Sequence, residues 1–209
     1  MDTKSKILDA AETLFADKGF NGTSLREITS LADVNLAAVN YHFGSKKELI
    51  KAVMSRYMNE LAPHLENSLI LVCQQSQKPT LLEVFSAFIE PLLSLNVFRE
   101  NGTSKFLQLL GRGYTDSQGF LRWFLTTQYP GVITHFVEAV QRAYPELTAE
   151  DIFWRLHFTM GTVVFTMSSS DALIDIAHND FAQSLDISDV IRKVIPFVSA
   201  GVGAPLQQN

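Results

Sequence analysis

Residues 23–49 have the sequence TSLREITSLADVNLAAVNYHFGSKKEL, and this stretch decides the fold of the N-terminal part of the chain. Ser24 stands three residues before Glu27, and Ser45 stands three residues before Glu48. This spacing is typical of the capping box, in which two side chains satisfy backbone N–H groups at a helix start. Asn35 is a further strong N-cap residue, placed before an apolar run. The stretch therefore predicts the starts of three helices.

Short turns separate the predicted helices. Gly19 and Gly44 are expected to end the first and the third helix, because glycine adopts the left-handed conformation that terminates helices. A turn at Asp33–Val34 separates the second from the third. The predicted segments are helix 1 from about Ser5 to Lys18, helix 2 from Ser24, helix 3 from Leu36 to about His42, and helix 4 from Ser45 to about Leu65. Helices 2 and 3 form a helix-turn-helix, whose second helix can enter the major groove of DNA.

The rest of the chain also follows the helical period, and strand signals are absent. Further helices are predicted near 80–95, 103–112, 117–143, 148–169 and 187–200. Pro91, Pro130 and Pro196 fall inside these segments, so we expect kinks or breaks there. The prediction is an all-α protein with an N-terminal three-helix helix-turn-helix domain over residues 1–46 and a C-terminal helical domain over residues 47–209.

The composition is that of a globular protein with an acidic excess. Apolar residues make up 46% of the 209 residues and charged residues 19%, which excludes an intrinsically disordered chain. The net charge is −5, but residues 1–60 carry eight basic and eight acidic side chains, so the excess lies in the remainder. General coating of nucleic acid is therefore not expected, whereas a small local DNA-binding face is compatible with this distribution.

Cysteine content and hydropathy indicate the compartment. Cys73 is the single cysteine, so we expect neither an internal disulfide nor a four-thiolate zinc site, and a reducing cytoplasm is the natural compartment. The N-terminal residues lack the apolar core of a secretory signal. The longest uncharged apolar run of the C-terminal half, 158–167, has ten residues and is too short to cross a bilayer. We therefore expect a cytoplasmic protein with no membrane partner.

Helix 3 has an outward face that is unusual for a solvated helix. Val39 and Phe43 are four residues apart and should face inward, which leaves alanines, an amide and an aromatic outward. An amide such as that of Asn40 can pair bidentately with adenine, alanine methyls can contact a thymine methyl, and Arg26 can bind guanine. The outward residues of helix 3 are Ala37, Ala38, Asn40 and Tyr41.

The chain resembles the DNA-binding segment of the TetR family of transcriptional regulators in three segments, Thr23–Ile28, Ala32–Asn35 and Tyr41–Leu49. The likeness extends over residues 7–55. The resemblance implies a base or phosphate contact from Arg26, groove contacts from helix 3 and a phosphate clamp at Lys46. With the two helix caps and the residues expected on phosphates included, the expected DNA-binding residues are Ser24, Arg26, Asn35, Ala37, Ala38, Asn40, Tyr41, His42 and Lys46.

Two positions depart from the family pattern. Asp33 stands where the family usually has glycine in the turn, and aspartate tolerates the left-handed conformation better than most residues. Asn35 replaces the usual Ser or Thr cap. The turn is therefore expected to form in spite of both changes.

Aromatic residues are concentrated in the C-terminal part, where twelve of the 15 phenylalanines lie between 85 and 197. An apolar cavity with a few polar groups suits a small apolar ligand. Arg122, beside Trp123 and Phe124, is the candidate anchor for a carboxylate, although a surface salt bridge and simple core packing are the alternatives for these residues. The expected effector pocket consists of Phe85, Phe88, Leu92, Phe106, Leu110, Arg122, Trp123, Phe124 and Phe136.

The segments 34–45 and Tyr129-Pro130-Gly131 resemble the PsrA-like branch of the family, which responds to long-chain fatty acids. This resemblance implies a fatty acid or acyl-CoA as effector and no other cofactor.

Two late helices have continuous apolar faces, and the family resemblance implies that they build a two-fold homodimer through a four-helix bundle. Two recognition helices must lie about 34–36 Å apart to enter successive major grooves of a palindrome. An effector that changes this separation would release DNA, as expected of a repressor. The C-terminal domain is thus predicted to bind ligand and to dimerise, and the expected interface residues are Phe158, Gly161, Thr162, Phe165, Val190, Ile191, Val194 and Val198.

An enzyme is the competing class, but its motifs are missing. The sequence has no Gly-rich phosphate loop, no Gly-x-Ser-x-Gly and no paired Cys/His spacing for a metal. We therefore expect no catalytic and no metal site. A helical lipid-binding or protein-interaction module is a second alternative, and specific affinity for DNA separates it from a regulator.

Overall fold

The computed structural model describes residues 2–116 and 118–205, without the side chains of 115, 116, 118–120 and 168. All regular structure in these ranges is α-helical, which confirms the all-α prediction. The helices are α1 Thr3–Gly22, α2 Leu25–Ala32, α3 Leu36–Phe43, α4 Lys46–Gln75, α5 Leu81–Ser86, α6 Ile89–Phe98, α7 Gly102–Asp116, α8 Gln118–Gln128, α9 Pro130–Ala143, α10 Ala149–Ser168, α11 Ser170–Phe181 and α12 Ile187–Val202.

The predicted helix ends of the N-terminal part are confirmed. Ser24 and Glu27 form both hydrogen bonds of a capping box at the start of α2. Gly19 has a φ of 79° and interrupts the helical conformation of α1, as glycine readily does. Asp33 is left-handed with a φ of 51°, so aspartate fills the place where glycine was expected. The turn between α2 and α3 therefore forms as the sequence predicts.

Helix α4 differs from the prediction in two ways. The Ser45 hydroxyl accepts a hydrogen bond from the Glu48 N–H, but the Glu48 carboxylate pairs with Lys51, so only half of the expected capping box forms. The helix also extends to Gln75, about three turns past the predicted end at Leu65. Buried Leu69 continues its apolar stripe, and this burial outweighs the weaker local signal.

The C-terminal part is divided more finely than predicted. The single helix expected near 80–95 is two helices, α5 and α6, and the segment expected at 117–143 breaks where Pro130 opens α9. Pro91 lies in the first turn of α6, where the missing N–H costs no hydrogen bond, and Pro196 lies within a continuous α12. Helix α11 was not predicted.

The apolar stretch Leu81–Phe98 has the length and the mean hydropathy, 1.6, of a membrane span, and it lies outside the C-terminal half. The structure divides it at Ala87–Phe88 into α5 and α6. Val84, Phe85 and Leu95 of this stretch belong to the hydrophobic core. It therefore packs as two short helices of the helical body.

The apolar stripe of α12 was assigned wrongly to a dimer interface. Val190, Ile191 and Val198 are only 7%, 2% and 3% exposed within the single chain, and Val194 is half-buried. These side chains face the core because α12 packs against α5 and α10 of its own chain. The sequence shows that the stripe is buried but cannot show whether its own chain or a second copy buries it.

The opposite face of α12 and the neighbouring face of α10 are exposed. Phe158 and Phe165 are each 66% exposed, and Phe197 is 67% exposed. Gly161 is exposed and Thr162 half-buried on the same helix. Trp154 stacks on Phe158 with ring centroids 6.0 Å apart. The exposed apolar surface on α10 and α12, called here the α10–α12 face, is therefore aromatic.

Gly102 permits a close approach of backbones between α6 and α7. A Cβ at this position would overlap the Leu95 carbonyl oxygen, so Gly102→Ala forces the backbone to shift. We expect a loss of roughly 1–3 kcal/mol in the free energy of unfolding, measured by urea denaturation. Gly22→Ala is the control, since its Cβ would meet only the Lys18 Cβ at 3.6 Å. Equal stability of the two variants would contradict the close approach.

Candidate nucleic-acid interface

Helix α3 is fixed at both ends and along its inner side. The Asn35 side chain accepts a hydrogen bond of 2.9 Å from the Ala38 N–H, and the Gly44 N–H bonds to the Asn40 carbonyl at the other end. Val39 is fully buried and Phe43 is half-buried against the core, as predicted. These contacts present the other side of α3 to solvent as a rigid surface.

The exposed side of α3 carries Ala37, Asn40 and Tyr41. The Tyr41 side chain is 85% exposed, and its ring meets the half-buried His42 ring edge-on at 5.1 Å between centroids. Within the described residues the Asn40 amide makes no hydrogen bond, so its donor and acceptor are both available. A small-residue helix face with a free amide and a flanking phenol can fit a major groove.

Three of the predicted DNA-binding residues have a different setting from the one expected. Ala38 is half-buried against the core, so its methyl group does not point as fully outward as the sequence predicted. The side-chain oxygens of Ser24 and Asn35 are occupied by the N–H groups that they cap. These two residues therefore shape the helix starts, and Asn35 keeps only its amide N–H groups for a ligand.

The basic residues at this surface differ in whether they already form an ion pair within the chain. Arg26 is exposed on α2, and Lys46 is half-buried at the start of α4; in the described chain neither forms an ion pair. Lys51 instead pairs with Glu48, and its Nζ also lies 4.7 Å from the centre of the Trp123 ring on α8. Arg26 and Lys46 are therefore the cations best placed to meet phosphate.

The start of α2 is stabilised by charge. The Lys18 ammonium donates a 2.8 Å hydrogen bond to the Glu27 carboxylate, and the Ser24 N–H donates another. These hydrogen bonds, that of Lys18 foremost, lower the pKa of Glu27 to about 2. The carboxylate is therefore ionised at neutral pH and keeps α2 tied to the end of α1.

The expected effector residues fall into two groups. Phe85, Phe106 and Phe124 are buried, and Phe88, Leu92, Leu110 and Phe136 are half-buried. The Phe136 ring meets Phe85 at 5.5 Å and Phe88 at 5.1 Å, both edge-on. These three rings form one aromatic cluster where α5, α9 and the start of α6 meet.

Arg122 and Trp123 do not belong to that cluster. Both side chains are exposed on α8, and Trp123 faces the lysines at the start of α4. The prediction that Arg122 anchors a carboxylate inside the body is therefore wrong. Sequence adjacency to Phe124 was misleading, because neighbouring helix residues point about 100° apart and only Phe124 faces the core.

A polar group that the sequence does not single out lies on α9, the helix that carries Phe136. His135 precedes Phe136 on α9, and its Nδ1 is buried without a hydrogen-bond partner among the described residues. A buried polar atom without a partner is a place where a ligand or water is accommodated. No local sequence signal distinguishes this histidine, because its burial depends on how α9 packs against α4.

Comparison with known proteins gives two family matches. Residues 7–53 match the profile described as "Bacterial regulatory proteins, tetR family". Residues 86–201, more than half of the chain, match "Tetracyclin repressor-like, C-terminal domain". The first match contains α2 and α3 with the exposed face described above.

Individual relatives match shorter stretches of the chain. The chain is 38% identical over 84 residues to the probable HTH-type transcriptional regulator YttP of Bacillus subtilis, which is 40% of this chain and 41% of YttP. It is 46% identical over 46 residues to IcaR of Staphylococcus aureus, the negative transcriptional regulator of the biofilm operon icaADBC, which is 22% of this chain and 25% of IcaR. The chain thus matches less than half the length of these curated relatives.

The fold as a whole also has solved counterparts. A TetR-like transcriptional regulator from Rhodococcus sp. RHA1 superimposes with a TM-score of 0.60 over 97% of each chain, at 17% sequence identity. This likeness shows the fold, and the family matches show the ancestry. The chain therefore belongs to the TetR family of transcriptional regulators, which are DNA-binding proteins and not enzymes.

Proposed function

We propose that the protein is a cytoplasmic, homodimeric repressor that binds a palindromic operator through α2 and α3 and is released by a small apolar effector, a long-chain fatty acid or acyl-CoA. The proposal depends above all on the exposed side of α3. There a free amide, an alanine methyl and an exposed phenol lie on a helix capped at both ends. Because its backbone is already ordered, such a helix loses little conformational entropy when it binds base edges.

A relative supports repression, instead of activation, of transcription. IcaR, which is 46% identical to the chain over 46 residues, is a negative regulator of its operon. A dimer that occupies an operator competes with transcription, and an effector reverses that by binding the released state more tightly. The direction of regulation is therefore proposed from this relative together with the family.

The α10–α12 face supports a homodimer. Its four large aromatic side chains are each more than half exposed. Large exposed apolar surfaces are typical of protein–protein contacts. Its residues on α10 repeat at the helical period of three and four, as a helix needs to pack along a partner. We propose that two copies join by this face, with exposed Phe197 of α12 in place of the buried valines first expected.

The aromatic cluster supports an apolar effector. Phe85, Phe88 and Phe136 supply apolar rings, and His135 of α9 has a buried Nδ1 without a hydrogen-bond partner among the described residues. A ligand with one polar end and a long apolar chain matches this combination. We therefore propose that His135, instead of Arg122, contacts the polar end of the acyl effector.

Two substitutions separate base reading from phosphate binding. Asn40→Ala is expected to cost roughly 1–3 kcal/mol at one base pair of each half-site and to leave binding to other sequences unchanged. Lys46→Ala is expected to weaken binding to all sequences and to lower the salt slope by about one for each phosphate released. Affinities are measured by fluorescence anisotropy at several salt concentrations, on a palindromic duplex that the wild-type protein selects from a random pool.

Lys78→Ala is the matched control, because this lysine is exposed in the loop between α4 and α5. Its affinity and salt slope should equal those of the wild-type protein. Equal losses on every sequence for Asn40→Ala would contradict base reading by Asn40. If no duplex is selected at low salt, the protein is better described as a helical lipid-binding or interaction module.

The dimer is tested by placing a charge on the α10–α12 face. Phe158→Glu is expected to shift the protein from dimer to monomer at micromolar concentration, since an unpaired carboxylate would be buried between the copies. Analytical ultracentrifugation measures the change. Val97→Glu is the control, because Val97 is an exposed apolar residue of α6 and is not among the residues of this face. A Phe158→Glu protein that remains dimeric would place the interface elsewhere.

The effector class is tested with octanoate, palmitate, oleate and palmitoyl-CoA. A true effector at 100 times its Kd stabilises the protein by about 2.7 kcal/mol, which raises its melting temperature, and it also releases the duplex. His135→Phe should weaken that ligand by about tenfold or more, through the lost polar contact. His178→Phe, an exposed histidine of α11, is the control. If no member of the panel changes either the melting temperature or DNA binding, this ligand class is excluded.

A further inference from the structure

A carboxylate of α1 is buried where the N-terminal helices meet the C-terminal body. Glu12 is 1% exposed, although glutamate is almost never buried without a partner. Its Oε2 lies 3.3 Å from Nη1 of Arg56 on α4, and its Oε1 lies 3.2 Å from Nε of Arg99. Lys105 of α7 adds a third positive charge, with its Nζ 4.0 Å from Oε1.

Asp9, one turn earlier on α1, binds the same two arginines as Glu12. Its Oδ1 accepts hydrogen bonds of 2.8 Å from both Arg56 and Arg99. Burial alone would raise the pKa of Asp9, but the hydrogen bonds from the two arginines outweigh it and lower the pKa. Each arginine therefore bridges two carboxylates of α1. These five residues, Asp9, Glu12, Arg56, Arg99 and Lys105, are called here the ionic joint.

The ionic joint connects the two parts of the protein that the family profiles define. Glu12 lies in the N-terminal match over residues 7–53, whereas Arg99 and Lys105 lie in the C-terminal match over 86–201. Arg99 caps the end of α6, and Lys105 lies in the first turns of α7. The α6–α7 junction is therefore tied to α1 by charge.

Helix α7 holds α1 at a second point, further along both helices. Arg112 donates a 2.9 Å hydrogen bond from Nη2 to the Asp17 carbonyl, near the end of the regular part of α1. One residue later, a Cβ on Gly113 would lie 3.1 Å from the Phe20 ring, so the two helices are in close contact there. Contacts at Glu12 and at Asp17 therefore hold α1 to α7 at two points along its length.

The ionic joint also adjoins the aromatic interior of the body. Tyr57 follows Arg56 on α4, and its ring contacts Phe98 at 6.0 Å and Phe106 at 5.7 Å between centroids. Phe98 immediately precedes Arg99 in the chain. Two of these ring residues are therefore sequence neighbours of the two arginines of the joint, so a shift of the backbone that carries the rings also moves the arginines.

We propose that Arg99 is a positioning residue of the regulatory response, which holds α1 to the α6–α7 junction through Asp9 and Glu12. When the body rearranges, separation of the buried Glu12 carboxylate from its cations is strongly unfavourable, so α1 moves with the junction. Helix α1 packs against α2 and α3, and the exposed side of α3 is displaced with it. This inference rests on the proposed function, because it describes how the DNA-binding surface and the body influence each other.

Coupling between two sites is reciprocal, so it can be measured without knowing the effector. In the wild-type protein, binding of the selected palindromic duplex to α3 should slow amide hydrogen exchange in residues 102–114 of α7 by about fivefold or more, the lower end of usual coupling. In the double variant Glu12→Gln/Arg99→Gln, which removes both charges together, the slowing in α7 should be lost while that in α2 and α3 remains. Exchange is measured by mass spectrometry on the full chain.

Arg142→Gln is the matched control. It removes an arginine that pairs with Glu138 on the surface of the body, remote from α1, and should leave the slowing in α7 unchanged. If the double variant does not fold, Arg99→Lys replaces it, since lysine keeps the charge but cannot bridge both carboxylates; the slowing in α7 should then be smaller than in the wild-type protein.

The outcomes separate the inference from the proposed function. If the wild-type protein selects no duplex, the proposed function fails and the positioning role fails with it. If the wild-type protein binds DNA but α7 exchanges at an unchanged rate, only the positioning role is overturned. An undiminished slowing in the variant that disrupts the joint overturns it as well.

Discussion

The burial of the Glu12 carboxylate is the constraint on which the arrangement of the two parts depends. Removing one partner from a buried ion pair typically costs about 3–5 kcal/mol, which is a large share of the stability of a domain. The chain supplies cations to this carboxylate from α4 and from the α6–α7 junction, so three separate segments must meet at one place. Orientation of the N-terminal helices on the body is therefore determined by charge as well as by apolar packing.

The recognition surface depends on a different kind of interaction, which is local. Its helix starts are fixed by Ser24 and Asn35 through hydrogen bonds to N–H groups three residues away. Such bonds form between near neighbours in sequence, and the sequence alone was therefore sufficient to predict α2, α3 and the turn at Asp33. The same reasoning holds for the capping box of Thr148 and Asp151 at the start of α10, where the predicted start is confirmed.

The features that were not predictable are those that depend on distant parts of the chain. The stripe of Val190, Ile191 and Val198 was recognised as buried, but the partner helices α5 and α10 come from the same chain. Arg122 was placed in a cavity because of its sequence neighbours, yet its side chain points outward. The ionic joint pairs residues up to 93 positions apart, Glu12 with Lys105, and no periodicity connects them.

The two tryptophans of the chain lie on two different surfaces of the protein. Trp123 on α8 has the Lys51 ammonium 4.7 Å from its ring centre, directly beside the start of α4, whereas Trp154 stacks on Phe158 in the α10–α12 face. Indole emission depends on nearby charge and on contact with water. The protein therefore carries two native optical reporters, one for the seam between α4 and α8 and one for the surface where copies would meet, and a single-tryptophan variant isolates each signal without an attached dye.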